Sequence, residues 1–314
     1  MSTRQKYLFA ASTGGHLAQL ARLAPRFDPH PDSLWITFKT PQSESLLKGK
    51  RVKYVPYIAP RDFAGAAKAA LTVRKLVHAE RFDRAVSTGA AIAVSVLPIA
   101  KLAGVRTTYI ESVSRVQGPS LSGRMIAAMH AAELFTQHEG WATGAWQPYD
   151  GVLAAFAPVE RAPVQKPRLF VTLGTIEGYR FDSLVDGLLQ TGLVDDRTEW
   201  QLGYTSRDDL PGNALRLMSS DRFQSNLRSA DVVVTHAGVG TILQLLEEGV
   251  FPVVVPRDKK RNEHVDNHQY QIADLVEKLG IGMVLTPDRI TAPALVAASG
   301  MAVSALTHDE SPTR

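Results

Sequence analysis

The feature that most constrains this 314-residue chain is the alternation of short apolar runs with helix-patterned segments, in two series separated by prolines. In the first series Tyr7–Ser12, Leu34–Phe38, Val52–Tyr57, Arg84–Ser87 and Thr107–Ile110 have strand length. His16–Leu23, Phe63–Ala79 and Ala91–Leu102 between them carry helical patterning. Apolar runs bounded by glycine and polar residues suit strands buried on both faces, as in parallel sheets. The second series repeats the pattern, with strands at Arg168–Leu173, Trp200–Tyr204, Asp231–Thr235, Pro252–Val255 and Gly282–Leu285, and helices at Phe181–Gln190, Thr241–Glu248 and His268–Leu279. Alternating strands and helices imply an α/β fold with helices over a parallel sheet. Residues 157–167 hold Pro158, Pro163 and Pro167, the composition of a semi-rigid linker. The expected organisation is therefore a Rossmann-like domain over 1–156, a linker over 157–167, a second such domain over 168–307 and a flexible tail over 308–314. Two doubly wound domains so joined are expected to face each other across a cleft, with ligands outside the carboxyl ends of the strands.

Composition removes several function classes. With 45% hydrophobic and 21% charged residues the chain is ordinary globular material rather than disordered. It has no cysteine, which excludes disulfides, thiolate nucleophiles and Cys-ligated zinc, and which fits a reducing compartment. The longest nearly apolar run, Ala90–Ala100, contains Ser95 and Pro98 and falls short of the about 20 residues of a membrane-spanning helix. The apolar run Tyr7–Ala11 is too short for a secretory signal. Residues 1–160 carry 19 Lys and Arg against 11 Asp and Glu, a net +8, whereas the remainder carries −4. The basic half suits an anionic substrate, membrane or nucleic acid, but no aromatic RNA-binding motif or clustered basic stripe supports the last. Lys68, Arg74, Lys75, Arg81 and Arg84 recur among Ala, Leu and Val. That stretch reads either as a helix lying on an anionic membrane or as the solvated face of a sheet-covering helix. The expected location is cytoplasmic, peripherally attached to the inner face of the cell membrane.

Six motifs carry chemistry. Ser12-Thr13-Gly14-Gly15-His16 follows a strand and opens a helix, so backbone N–H groups there can meet an anion; a plain tight turn is the alternative. Ser87-Thr88-Gly89 occupies an equivalent place, as a subsite or as a capped turn. Glu111, ending a strand in Ile110-Glu111-Ser112 ahead of Pro119-Ser120-Leu121-Ser122-Gly123-Arg124, reads as a general base or as a paired structural carboxylate. Gly174 and Thr175 end the first strand of the second series. Thr235-His236-Ala237-Gly238-Val239-Gly240-Thr241 is not a GxGxxG fingerprint, yet a glycine-rich loop entering a helix suits a diphosphate. Glu263-His264-Val265-Asp266-Asn267-His268-Gln269 follows a buried strand; Asp266 and Gln269, three apart, share a helix face that can grip sugar hydroxyls. His264 and His268 have metal-ligand spacing but no evident third ligand. The chain holds no Asp-x-Asp clamp for a divalent ion, so no metal or other cofactor is expected.

Together these motifs resemble a known group. Leu169–Leu285 looks like the C-terminal domain of family 28 glycosyltransferases. Leu8–Tyr149 resembles the acceptor-side subunit of the two-subunit eukaryotic UDP-GlcNAc transferase of dolichol-oligosaccharide synthesis, and the corresponding bacterial exopolysaccharide and capsule enzymes, here fused in one chain. The resemblance implies a GT-B fold and inverting, metal-independent transfer from a UDP-sugar to a polyprenyl-diphosphate-linked glycan. It implies that His236, Gly238, Gly240 and Thr241 hold the donor diphosphate, that Gly174 and Thr175 line the site, and that Glu263, Asp266, Asn267 and Gln269 meet the sugar and ribose. Gln244 stands where relatives often carry a ribose-binding Glu. Thr13, Gly14, Gly15, His16, Ser87, Thr88 and Gly89 would hold the acceptor, with Glu111 ahead of His16 as the base. Two other functions fit the same architecture: a nucleotide-sugar epimerase, and a non-catalytic subunit recruiting a transferase to the membrane. Arg257, Lys259, Lys260 and Arg261 are possible partners for a uronic acid donor; GlcNAc, glucose and galactose stay open.

Overall fold

The computed structural model describes residues 4–59, 62–175, 177–264 and 268–306. The chain divides into two compact units, 1–152 and 153–314. The division falls four residues before the expected end of the first domain.

The first unit runs β1 (Tyr7–Ala11), α1 (Gly15–Leu23), β2 (Leu34–Phe38), α2 (Pro41–Leu46), β3 (Arg51–Val55), α3 (Phe63–Ala79), β4 (Arg84–Gly89), α4 (Ala91–Leu102), β5 (Arg106–Ile110), α5 (Leu121–Ala128), β6 (Glu133–Thr136) and β7 (Trp146–Pro148). The strands form one sheet in the order β3-β2-β1-β4-β5-β6-β7. Every pairing is parallel. Burial on both faces explains the unbroken apolar runs: β1 and β2 are buried at all five positions. Leu8, Ile36, Val73, Ile92, Val96 and Tyr109 anchor the core under α3 and α4.

The second unit runs β8 (Phe156–Glu160), β9 (Leu169–Thr172), α6 (Asp182–Leu189), β10 (Glu199–Gln201), β11 (Asn213–Leu215), α7 (Ser220–Ser229), β12 (Val232–His236), α8 (Val239–Glu247), β13 (Pro252–Val255), α9 (His268–Lys278), β14 (Met283–Val284), α10 (Ala292–Ser299) and β15 (Met301–Ala305). Its main sheet has the order β11-β10-β9-β12-β13-β14 and is parallel throughout. Each sheet thus reverses its strand order once, between β1 and β4 in the first unit and between β9 and β12 in the second. Helices flanking such a switch diverge and leave a crevice at the strand ends.

Part of the expected linker is structured. Residues 156–160 are β8, antiparallel to β15, with Pro158 opposite Val303. A two-stranded ribbon consists of edges, so a proline that cannot donate to a ladder is tolerated there. Arg161 continues the attachment, donating to the carbonyls of Ser299 and Asp231. Sequence patterning also missed α7, because its buried positions are only Phe223, Asn226 and Leu227, too few for an apolar stripe. The expected tail over 308–314 lies outside the described residues.

The turn after β4 departs from ordinary backbone. Ala90, the residue before α4, has φ 63° and ψ −171° and makes no side-chain cap. That region is open to glycine and costs other residues about 1–3 kcal/mol. Ala90→Gly is expected to raise the unfolding free energy by about 1 kcal/mol after glycine's added unfolded-state entropy. The check is a higher urea midpoint at unchanged slope; a lower midpoint would show that the turn is unstrained.

Candidate functional site

In the first unit the switch point is built around His16. The β1–α1 turn passes through Gly14 at φ 86° and ψ −143°, and α1 starts with no side-chain cap. A Cβ on Gly14 would meet nothing within 4 Å, so the positive φ rather than crowding calls for glycine there. Its peptide is held by Gln42 from α2: Gln42 Oε1 accepts from Gly14 N–H at 2.6 Å and Nε2 donates to Gly14 C=O at 3.2 Å. His16 Nδ1 lies 2.7 Å from the Thr88 carbonyl, and Thr88 Oγ1 donates to the His16 carbonyl at 2.7 Å. A carbonyl only accepts, so Nδ1 carries the hydrogen and Nε2 of the neutral ring keeps its lone pair. Burial holds the His16 imidazole below its ordinary value; the Thr88 carbonyl and Glu111 oppose that shift and Arg115 adds to it. The ring lies over Gly89, where a Cβ would come within 3.1 Å of His16 Cε1.

Gly14, Gly15, His16, Thr88 and Gly89 are therefore gathered at one point, but with different parts to play. Ser87 and Thr88 side chains are fully buried. Thr88 fixes His16, and Ser87 Oγ accepts from Gly89 N–H at 3.2 Å, so both support the subsite rather than line it. Thr13 is half-buried in the turn.

Glu111 does not have the setting expected of a base. Its side chain is 0% exposed. Oε2 accepts from the Ser120 N–H at 2.8 Å and hydroxyl at 2.9 Å; Oε1 accepts from Tyr109 Oη at 3.2 Å and Ser112 N–H at 3.1 Å. Ser120 in turn caps α5 through Gly123 N–H, and a Cβ on Gly123 would stand 2.3 Å from Glu111 Oε2. The Ser120–Gly123 motif is thus a receptor for the Glu111 carboxylate. The expectation that Glu111 leads as the base is corrected: with both oxygens occupied and no exposure, it positions the loop, and His16 presents the free basic atom.

The second unit repeats the arrangement where β9 adjoins β12. Gly174, at φ 78°, and Gly238 lie on either side of the His236 ring; Cβ atoms there would fall 2.6 Å and 2.2 Å from it. Gly203, at φ 61°, brings a third turn against the Gly174 carbonyl, where a Cβ would stand at 1.9 Å. Burial, then the Arg257 charge, pull His236 down to about 3. His236 is therefore neutral and brings no positive charge to a diphosphate; its ring fills the space against the two glycine turns. Helix α8 begins after Gly238 with no side-chain cap, so the N–H groups of its first turn lack intrahelical acceptors. Gly240, Thr241 and Gln244 are half-buried along this start, and Thr175 is exposed.

Beneath these turns lies Arg257, 0% exposed. Its guanidinium donates to the carbonyls of Leu173 at 2.6 Å, Glu263 at 3.0 Å, and Tyr179 and Arg180 at 3.2 Å each. It stacks on Phe181 at 4.6 Å, and its Nε–H has no partner among the described residues. Burial lowers it to about 10 against the opposing charge of Glu263. Glu263 accepts from the Ser183 hydroxyl and from Asp258 N–H, and Gln269 Oε1 accepts from Arg257 N–H at 3.0 Å. Glu263 thus ties the loop backbone at Asp258 to Ser183 of α6, the Gln269 oxygen holds the Arg257 N–H, and neither is turned to a sugar; the Arg257 guanidinium, buried and engaged with carbonyls, is not presented to a uronate. Asp266 and Asn267 lie outside the described residues. No cluster of metal-ligating side chains occurs among the described residues. Sequence reading missed Gln42 and the clamping role of Arg257; for the latter the signal was a charged residue two positions after a fully buried strand.

Comparison with known proteins agrees with the two-unit fold. Residues 198–298 match the glycosyltransferase family 28 C-terminal domain. Over 143 residues the chain is 32% identical to the mouse UDP-N-acetylglucosamine transferase subunit ALG13, covering 41% of this chain and 12% of that protein. Over 96 residues it is 35% identical to the Aquifex aeolicus UDP-N-acetylglucosamine--N-acetylmuramyl-(pentapeptide) pyrophosphoryl-undecaprenol N-acetylglucosamine transferase, covering 29% and 27%. The chain therefore spans about an eighth and about a quarter of these relatives' lengths. The structure of Acinetobacter baumannii MurG superposes with a TM-score of 0.56 at 16% identity, over 93% of this chain and 89% of that one. A Methanocaldococcus jannaschii UDP-GlcNAc 2-epimerase gives 0.57 at 10%, over 93% and 91%. The chain has the two-domain α/β fold of the GT-B type, which transferases and epimerases share.

The depressed His236 has a consequence for acid stability. Unfolded histidine binds a proton near 6.5, whereas His236 in the folded protein does so only near 3. Folding stability is therefore lost as pH falls through that window. Urea midpoints of wild type and His236→Gln at pH 7, 5.5 and 4.5 should show the wild type losing more; parallel losses would mean that His236 titrates normally.

Proposed function

We propose that this chain is an inverting, metal-independent glycosyltransferase that moves a sugar from a UDP-sugar to a polyprenyl-diphosphate-linked saccharide, in exopolysaccharide or capsule synthesis. The observation that carries the reading is the uncapped, glycine-edged helix start at the switch point of each sheet, one of them bearing an imidazole with a free Nε2. Such starts suit phosphate groups. The match of residues 198–298 to a glycosyltransferase domain supports the second unit as the donor side. The names of both relatives support a UDP-sugar donor, and that of the Aquifex aeolicus relative supports a lipid-linked acceptor.

In this reading the first turn of α8, with Gly174, Thr175, Gly238, Gly240 and Thr241, receives the donor diphosphate, and Gln244 lies one turn on toward the ribose. Asp266 and Asn267 keep their proposed part at the sugar. The turn from Thr13 to His16, with Gly89, receives the acceptor. His16 Nε2 takes the proton of the acceptor hydroxyl as its oxygen attacks C1 of the donor sugar. The C1–O bond to the β-phosphate breaks and its electron pair leaves with UDP, whose charge is met by backbone N–H groups. A single displacement inverts the anomeric carbon.

Peripheral attachment to an anionic membrane belongs to the same proposal. No helix among the described residues is long and apolar enough to cross a membrane. Lys68, Leu71, Arg74 and Lys75 are exposed together on α3, and cations near an anionic surface contribute about 1 kcal/mol each.

The test supplies purified protein and bacterial membrane lipids with labelled UDP-GlcNAc, UDP-glucose, UDP-galactose and UDP-glucuronic acid, with and without EDTA. Label should move into organic-soluble lipid at a rate EDTA leaves unchanged. Conversion of UDP-sugar without lipid would establish the epimerase instead, and UDP binding without any turnover would favour the recruitment subunit. His16→Ala should lower kcat by about 100-fold or more with UDP affinity unchanged. Glu111→Gln, which keeps an acceptor for Ser120, should stay within about tenfold of wild type; a collapse like that of His16→Ala would restore Glu111 as the base.

A further inference from the structure

The loop between β5 and α5 holds an arginine that the proposed reaction has not used. Arg115 is exposed, yet the backbone that carries it is pinned on both sides. Val113 N–H donates to Gln19 Oε1 at 2.8 Å, and the Val113 carbonyl lies 2.6 Å from His138 Nε2. Arg115 N–H donates to the Ser112 carbonyl at 2.9 Å, and the Arg115 carbonyl accepts from Trp141 Nε1 at 2.8 Å. The same Gln19, buried on α1, donates to the Ser112 hydroxyl at 2.9 Å and to the Gly15 carbonyl at 3.0 Å. The loop is thereby fastened to the first turn of the helix that bears His16. Its charge is felt at both His16 and Tyr109.

The guanidinium itself makes no hydrogen bond or ion pair among the described residues, whereas Arg180, Arg197 and Arg207 each hold an aspartate. A surface loop fixed through the backbone of Val113 and Arg115, its one cation unpaired among the described residues, is arranged to offer that cation to something else. The open start of α1 beside it has no acidic residue in its first turn. Both features favour an anion with several acceptor oxygens, which an arginine fork can grip through two parallel hydrogen bonds.

We propose that Arg115 is the diphosphate-binding residue of the His16 subsite, gripping the diphosphate of the ligand while the α1 N–H groups meet the same group from the other side. The inference rests on the acceptor reading of the first unit.

The test follows the His16 ring signals by NMR, assigned by their absence in His16→Asn, in the full chain titrated with inorganic pyrophosphate and with farnesyl diphosphate. Both should shift the His16 signals of the wild type. Arg115→Gln should weaken each response about tenfold or more, and Arg115→Lys should recover part of it. A stronger response to farnesyl diphosphate assigns a lipid-borne diphosphate; equal responses assign the diphosphate group alone, and both support the role. Equal binding by wild type and Arg115→Gln, or no shift of His16 with either probe, would overturn it. UDP affinity, measured in parallel by calorimetry, should be the same in all variants. Its absence from the wild type would sink the transferase reading without touching the His16 result.

Discussion

In both units a histidine ring lies against a glycine where neighbouring strands end at the switch point. His16 covers Gly89 in the first unit, and His236 fills the gap between Gly174 and Gly238 in the second. A parallel sheet delivers its strand ends and helix starts to one edge, so backbone N–H groups gather there without acceptors. Glycine lets the turns approach closely, and the imidazole fills the space their missing Cβ atoms leave. The open starts of α1 and α8 depend on that packing for their position.

The same device serves two chemistries because the surroundings differ. His16 is tied at Nδ1 to a carbonyl, with Glu111 and Arg115 acting on it in opposite directions. His236 sits above the buried Arg257 and is driven to about 3. One ring keeps the Nε2 lone pair that its Nδ1 hydrogen bond leaves open; the other is an uncharged spacer. Beneath each lies a buried polar hub, Glu111 with four donors on one side and Arg257 with four carbonyls on the other. Hydrogen bonds to charged groups contribute about 1.5–3 kcal/mol each, and leaving such a group buried and unpaired costs more. The hubs therefore hold the loops rigidly, and rigid loops keep the open helix starts in place.

The fold was legible to the extent that burial is periodic. Strands of unbroken apolar sequence such as Leu34–Phe38 and Pro252–Val255 have the bounds read from the sequence. Helices α3 and α4 likewise run over Phe63–Ala79 and Ala91–Leu102 as expected. Elements that bury little went unseen: α7, the short strand β11 with two of its three residues exposed, and the β8–β15 ribbon, whose proline argued for a linker.

The glycine turns, their positions after strands, and the candidate site residues on them were determined by local sequence, because a turn's conformation depends on the residues within it. Which side chains meet a ligand was decided by the tertiary structure. His16 acquires its orientation from Thr88, 72 residues away, and Gly14 is held by Gln42, 28 residues away. Glu111 directly follows a buried strand, and Glu263 and Gln269 belong to the polar segment beyond β13, the pattern expected of a site, yet their oxygens turn inward to N–H and hydroxyl groups of the protein itself. A sequence shows that a carboxylate stands at a strand end. Whether it faces solvent or an N–H group is settled by which distant loop comes to lie over it.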